Sequence, residues 1–155
     1  MTYRIEGLKR ADFAPLLAMD DAQLAEAGAT RVTSTAKPGW PCRISLEDAE
    51  PGETLILVNH TSHDVATPYR STYAIYVRDD AQNAHDYIDA VPPVFEGRPI
   101  ALRGFGADGM LKNAALALPG EADAKIRQLF DCEEIAYIHA HNAAHGCFAA
   151  RVERH

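Results

Sequence analysis

Two histidines near the C-terminus, His139 and His141, and a cysteine just beyond them, Cys147, are the side chains of this sequence best placed to do chemistry together. The segments that carry them alternate in character. Ala136, Ile138 and Ala140 interleave with Tyr137, His139 and His141, and Phe148, Ala150 and Val152 interleave with Cys147, Ala149 and Arg151. That period of two predicts strands over 135–141 and 147–153, joined by a loop at 142–146. Placing 141 opposite 147, 139 opposite 149 and 137 opposite 151 puts the whole apolar set on one face, and a one-residue slip would mix the two sets. His139 and His141 then share a side. Cys147 is expected directly across from His141, with Cβ atoms about 4.5–5.5 Å apart. A phenol, two imidazoles, a thiol and a guanidinium would thus occupy one small area.

Three chemistries suit that set. A divalent metal such as zinc could take His139 and His141, with Cys147, His60 or His63 completing its shell. Alternatively, His141 could activate Cys147 as a nucleophile. Thirdly, the histidines and Tyr137 could hydrogen-bond a small anionic molecule, helped by Arg43, Arg70 or Arg103. Against these stands a plain alternative, in which the histidine face simply meets solvent.

A second polar cluster, Asn59-His60-Thr61-Ser62-His63-Asp64, follows an apolar run. Its His-x-x-His pair has no fixed geometry outside a helix, and adjacent Ser, His and Asp are not how a catalytic triad is assembled. Pro41-Cys42-Arg43 and Pro68-Tyr69-Arg70 each place an arginine beside a proline-stiffened turn that could present it to a carboxylate or phosphate. Gly104-Phe-Gly106-Ala-Asp-Gly109 matches a dinucleotide-binding signature in letters only. The acidic residues about twenty positions on, Asp123 and Asp131, fall in or at the end of an expected helix instead of ending a strand, so a glycine-rich hairpin explains the segment better. No motif requires a cofactor, and P-loop, Cys-x-x-Cys, His-Glu-x-x-His and Gly-x-Ser-x-Gly signatures are all missing.

The elements that must position these residues can be read from the same patterns. A short strand opens at Tyr3 and Ile5. Helices follow over 10–19 and 22–27, the second capped by Asp20 or Asp21 and stopped at Gly28. Strand character marks 30–35, 43–46 and 54–59, the last as a continuous apolar run, with loops at 37–42 and 60–70. Strands are expected again over 71–78 and 98–105. Between them 79–97 reads as a long surface loop, a lid if it covers the histidine face. Asp108-Gly109 signals a hairpin turn, and 110–118 fits either strand or helix. The clearest helix is 121–130, with Ile126, Leu129 and Phe130 on one side. Strands arrive in runs, which argues for a single α+β domain with a mainly antiparallel sheet and about three short helices.

Composition limits the classes of function. At 155 residues, 47% apolar and 24% charged, the chain is sized and balanced for one folded domain. Its net charge of −7 lacks the basic footprint of a nucleic-acid binder and does not favour anionic membrane surfaces. Three scattered cysteines do not form a disulfide framework, and with no apolar leader at the start a cytoplasmic protein is expected.

The sequence also resembles a bacterial family of similar length, domain of unknown function 1203. The resemblance rests on Pro41-Cys42-Arg43 leading into Ser45-Leu46-Glu47-Asp48-Ala49-Glu50-Pro51-Gly52, on Asn59-His60, Pro68-Tyr69-Arg70 and Asp108-Gly109-Met110. It ends with Tyr137 to Ala143 followed by Gly146-Cys147. It implies a bacterial, cytoplasmic protein and brings no activity, cofactor or catalytic residue. The leading expectation from the residues themselves is a small-molecule binding or catalytic pocket around His139, His141 and Cys147, with His60, His63 and an arginine from the loops. The competing one is a non-catalytic interaction or structural module.

Overall fold

In the computed structural model, which describes residues 1–155, the chain folds as α+β with two antiparallel sheets. Strands β1 (Tyr3–Glu6), β5 (Tyr87–Ile88), β6 (Ile100–Phe105), β7 (Leu111–Ala117), β8 (Tyr137–Asn142) and β9 (Phe148–Arg154) form a six-stranded sheet in the order β5-β1-β9-β8-β6-β7. Strands β2 (Thr30–Thr33), β3 (Thr54–His63) and β4 (Ser71–Arg78) form a smaller one. Helices α1 (Arg10–Leu17), α2 (Asp21–Glu26) and α3 (Ala122–Phe130) complete the fold.

Period-two alternation makes the large sheet two-faced. One face sends Ile5, Ile100, Leu102, Ile138, Ala140 and Val152 into a core closed by Ile126, Leu129 and Phe130 of α3. Gly104 lies on this face because Ile135 fills the space beside it; an added Cβ would meet Ile135 Cδ1 at 2.6 Å. The other face carries Arg103, Phe105, Tyr137, His139 and His141 and meets residues of the small sheet. A second core, with Phe13, Leu24, Ile44, Ile56, Val58, Ile75 and Val77, joins the small sheet to α1 and α2. Asp20 caps α2 through a reciprocal capping box with Gln23.

Several sequence expectations change. Residues 43–46 are a buried loop, not a strand. Their backbone is satisfied by separate segments: Leu8 N–H donates to the Arg43 carbonyl (2.8 Å), Arg43 N–H to Tyr76 (3.1 Å), and Val94 N–H to Leu46 (3.2 Å). β3 runs on to His63, so His60 and His63 belong to a strand, with a bulge between Thr61 and His63. The 79–97 segment is no lid over the histidine face. It supplies edge strand β5 and a 3-10 turn, Pro93–Phe95, whose Val94 and Phe95 enter the larger core. Residues 111–117 are strand, paired with β6.

Candidate functional site

The hairpin register differs from the simple alternation. Tyr137 pairs with Glu153, His139 with Arg151 and Ala140 with Ala150, whereas His141 pairs with Phe148 across a bulge. Most positions move by two residues, which preserves the face of each side chain; the bulge does not. It places the Phe148 ring against His139 and His141, at 5.1 and 5.9 Å between centroids, and Ala149 in the core behind. Cys147 therefore does not face His141 as a cross-strand neighbour. Gly146, at φ 77°, ends the connecting loop, and its carbonyl accepts from His141 Nδ1 at 3.0 Å.

The histidine face is not solvated: His63 is 3% exposed, and His139 and His141 are each 2% exposed. His63 Nδ1 donates to the Tyr69 carbonyl (2.9 Å), which fixes the tautomer so that Nε2 accepts the Tyr137 hydroxyl at 2.7 Å. The His63 ring also lies 4.1 Å from Phe105 and 4.9 Å from His139. Burial lowers His139 to about 3, reinforced by His63, Arg151, His141 and Arg103. Burial likewise lowers His141 to about 4, with Arg103 next in weight. Both rings are neutral at physiological pH and act as a packed polar layer between the sheets. The two rings are 6.4 Å apart, and no three His, Cys, Asp or Glu side chains converge as a metal-binding group.

Beside this layer opens a cleft of about 520 Å³. Its walls come from the arginine loop (Gly39, Pro41, Arg43), from β3 and β4 (Leu57, Tyr73, Ala74, Tyr76), from Arg98 and Pro99, and from the hairpin loop with Asn142, His145 and Cys147. Arg43 is the dominant feature because it is only 2% exposed. Its Nε donates to the Phe148 carbonyl (2.8 Å), Nη1 to the Pro41 carbonyl (2.7 Å) and Nη2 to Cys147 Sγ (3.0 Å). None of these partners is a carboxylate. Three of the five N–H donors of a guanidinium are thereby used, leaving one on each Nη. Burial pushes the guanidinium below its ordinary value, and the Cys147 sulfur pulls it back up.

The other cleft arginine is spoken for. Arg98 grips Asp48 with Nη1 at 2.8 Å and Nη2 at 2.6 Å, a bidentate pair. Although burial works in the opposite direction, Arg98 and the Gly39 N–H hold the Asp48 carboxyl below its usual range. Arg103 donates to the Tyr73 hydroxyl at 2.9 Å, leaving that O–H free to donate in turn. Tyr73 links the two regions, since its ring also lies 5.0 Å from His141.

The family model for proteins of unknown function, DUF1203, matches residues 39–154. This chain belongs to the DUF1203 family. The match takes in every residue of the cleft and of the histidine layer and excludes β1, α1, α2 and β2. No curated protein and no solved structure matches the chain.

Within the DUF1203 domain, the residues singled out from sequence divide into three groups. His63, Tyr137, His139, His141 and Arg103 come together in the buried layer. Arg43 and Cys147 come together in the cleft. His60 and Arg70 join neither: His60 packs on Phe13 at 5.5 Å, and Arg70 pairs with Asp64 on the surface at 3.1 Å. Sequence reasoning missed Tyr73, Asn142 and His145 as cleft residues. Tyr73 alternates like any strand residue. Asn142 and His145 flank the hairpin turn, where polar residues are expected whatever their role.

Proposed function

We propose that this DUF1203 protein binds a small organic anion in the cleft, with a carboxylate or phosphate on Arg43. The observation that carries the reading is a buried guanidinium that lines a cleft, has no carboxylate partner and retains two N–H donors. Isolating such a charge from water is costly unless something compensates it. A volume of about 520 Å³ lies within the range of small-ligand sites. Leu57, Tyr76, Pro41 and Pro99 offer apolar and aromatic surface for the body of the ligand, and Asn142 and Tyr73 offer polar contacts for its orientation. The buried histidines support the walls and stay outside the binding chemistry.

No helix is long and apolar enough to cross a membrane, and the three cysteines are unpaired, which accords with a cytoplasmic setting in bacteria. With a net charge of −7, neither nucleic acid nor an anionic membrane is proposed as a partner.

Calorimetric titration with benzoate, phenylacetate and phenyl phosphate, beside benzamide as a neutral control, tests the reading. The anions are expected to bind at least tenfold more tightly than the amide. Ala144→Trp, which fills the cleft from its exposed loop, is expected to abolish binding without touching Arg43. Anions that bind no better than benzamide, or equally well to Ala144→Trp, would return the protein to the class of non-catalytic structural or interaction modules.

A further inference from the structure

We infer that Cys147 is a nucleophile directed at organic acids bound on Arg43, so that the cleft captures anionic electrophiles covalently. The inference rests on the anion-binding reading and adds a reaction to it. Cys147 does not stand alone. Its sulfur lies 3.0 Å from Nη2 of the buried guanidinium and 3.7 Å from the Asn142 amide nitrogen. It lines the cleft and is partly exposed, whereas Cys42 is fully buried. The hairpin bulge pairs His141 with Phe148 and takes Cys147 out of the cross-strand position, so the activating partner is not His141. The positive group beside the sulfur is Arg43, and one of its two unused N–H donors is on Nη2, the nitrogen that contacts Sγ. An acid group bound there holds its adjacent carbons beside the sulfur, which is the proximity that raises effective concentration.

The substrate class that follows is an acid with an electrophilic carbon next to, or conjugated with, the acid group. With an α,β-unsaturated carboxylate, the thiol proton leaves to solvent and the thiolate forms an S–C bond at the β-carbon. The π pair moves to the α-carbon, which takes a proton from water, and nothing is oxidised or reduced. With iodoacetate the S–C bond forms as the C–I bond breaks and iodide leaves.

The test compares alkylation by iodoacetate, an anion, with alkylation by iodoacetamide, its neutral counterpart, on the folded protein. Peptide mass spectrometry reads Cys147 and Cys132 separately, and the partly exposed Cys132 serves as an internal reference. The iodoacetate-to-iodoacetamide rate ratio is expected to be at least tenfold higher at Cys147 than at Cys132. Excess benzoate should lower it, as should Arg43→Lys. Equal ratios at the two cysteines in the wild-type protein would overturn the inference. Titrating Cys147→Ser with benzoate separates the two claims: retained binding with equal alkylation ratios removes the nucleophile and leaves the anion site standing.

Discussion

Nη2 of Arg43 and Sγ of Cys147 meet at 3.0 Å across a separation of 104 residues. The contact joins the buried loop after Pro41 to the end of the last hairpin turn. The same guanidinium reaches the Phe148 carbonyl, so Arg43 ties the start of β9 to a loop that is itself held by β4 and the N-terminal segment. One residue therefore serves as both tie and charge.

Arg43→Met should remove both roles at once. Methionine keeps much of the volume but leaves the Phe148 and Pro41 carbonyls without their donor. Two lost charge-assisted hydrogen bonds should cost about 3–6 kcal/mol, read by urea unfolding. Arg43→Lys should recover part of the stability and less of the anion binding, because an ammonium lacks the planar fork.

Acidification should destabilise the fold through the buried histidines. Folded His139 and His141 hold protons only below about 3 and about 4, against an ordinary value of 6.5. The unfolded chain takes up protons first, so stability is complete above about 6.5 and falls with pH until the folded-state values are reached. At pH 5 the loss should be about 2 kcal/mol for each ring. His139→Phe should remove about half of that pH dependence. Denaturant midpoints measured from pH 7.5 to pH 5 check the slope.

Asp48→Asn should strip the Arg98 fork of its counter-charge and weaken the contact of Asp48 with the Gly39 N–H. The pair is largely buried, with Arg98 and Asp48 side chains 19% and 7% exposed. Breaking it should cost about 3 kcal/mol. Because Arg98 lines the cleft and would then lack its counter-charge, anion affinity should rise, and calorimetry on the folded variant measures that part.

Gly7→Ala should act on the cleft from a distance. A Cβ at Gly7 would sit 2.2 Å from the Ile44 carbonyl oxygen and 3.2 Å from that of Arg43, both backbone atoms that cannot rotate away. The substitution should lower thermal stability by several degrees and weaken anion binding together. Gly28→Ala, with no atom within 4 Å of the new Cβ, should change stability through its positive φ of 75° and leave the cleft intact.

Much of this architecture is legible in the sequence because it is written in local terms. Alternation marked β8 and β9 and the shared face of His139 and His141. An aspartate cap at Asp20 or Asp21 with a stop at Gly28 marked α2, and the apolar stripe of Ile126, Leu129 and Phe130 marked α3. The rest depends on contacts between distant segments. No local pattern announces the bulge that puts Phe148 opposite His141 and removes Cys147 from that position. The polar face of β8 reads as solvent-facing, and the approach of β3 with His63 and of β4 with Tyr73 covers it. Arg43 reads as a surface residue of a proline turn, yet segments from both ends of the chain close over it. The cleft belongs to the same class, since its walls are drawn from residues 39 to 147 and no single stretch contains them.

The most direct test of the anion site is an NMR titration that follows the Arg43 Nε–H and Asn142 side-chain amide signals as phenyl phosphate is added. The proposal predicts that both shift and saturate with one dissociation constant, while the surface Arg70 Nε–H stays in place. Linear, unsaturable shifts at Arg43, or shifts confined to exposed arginines such as Arg70, would contradict it.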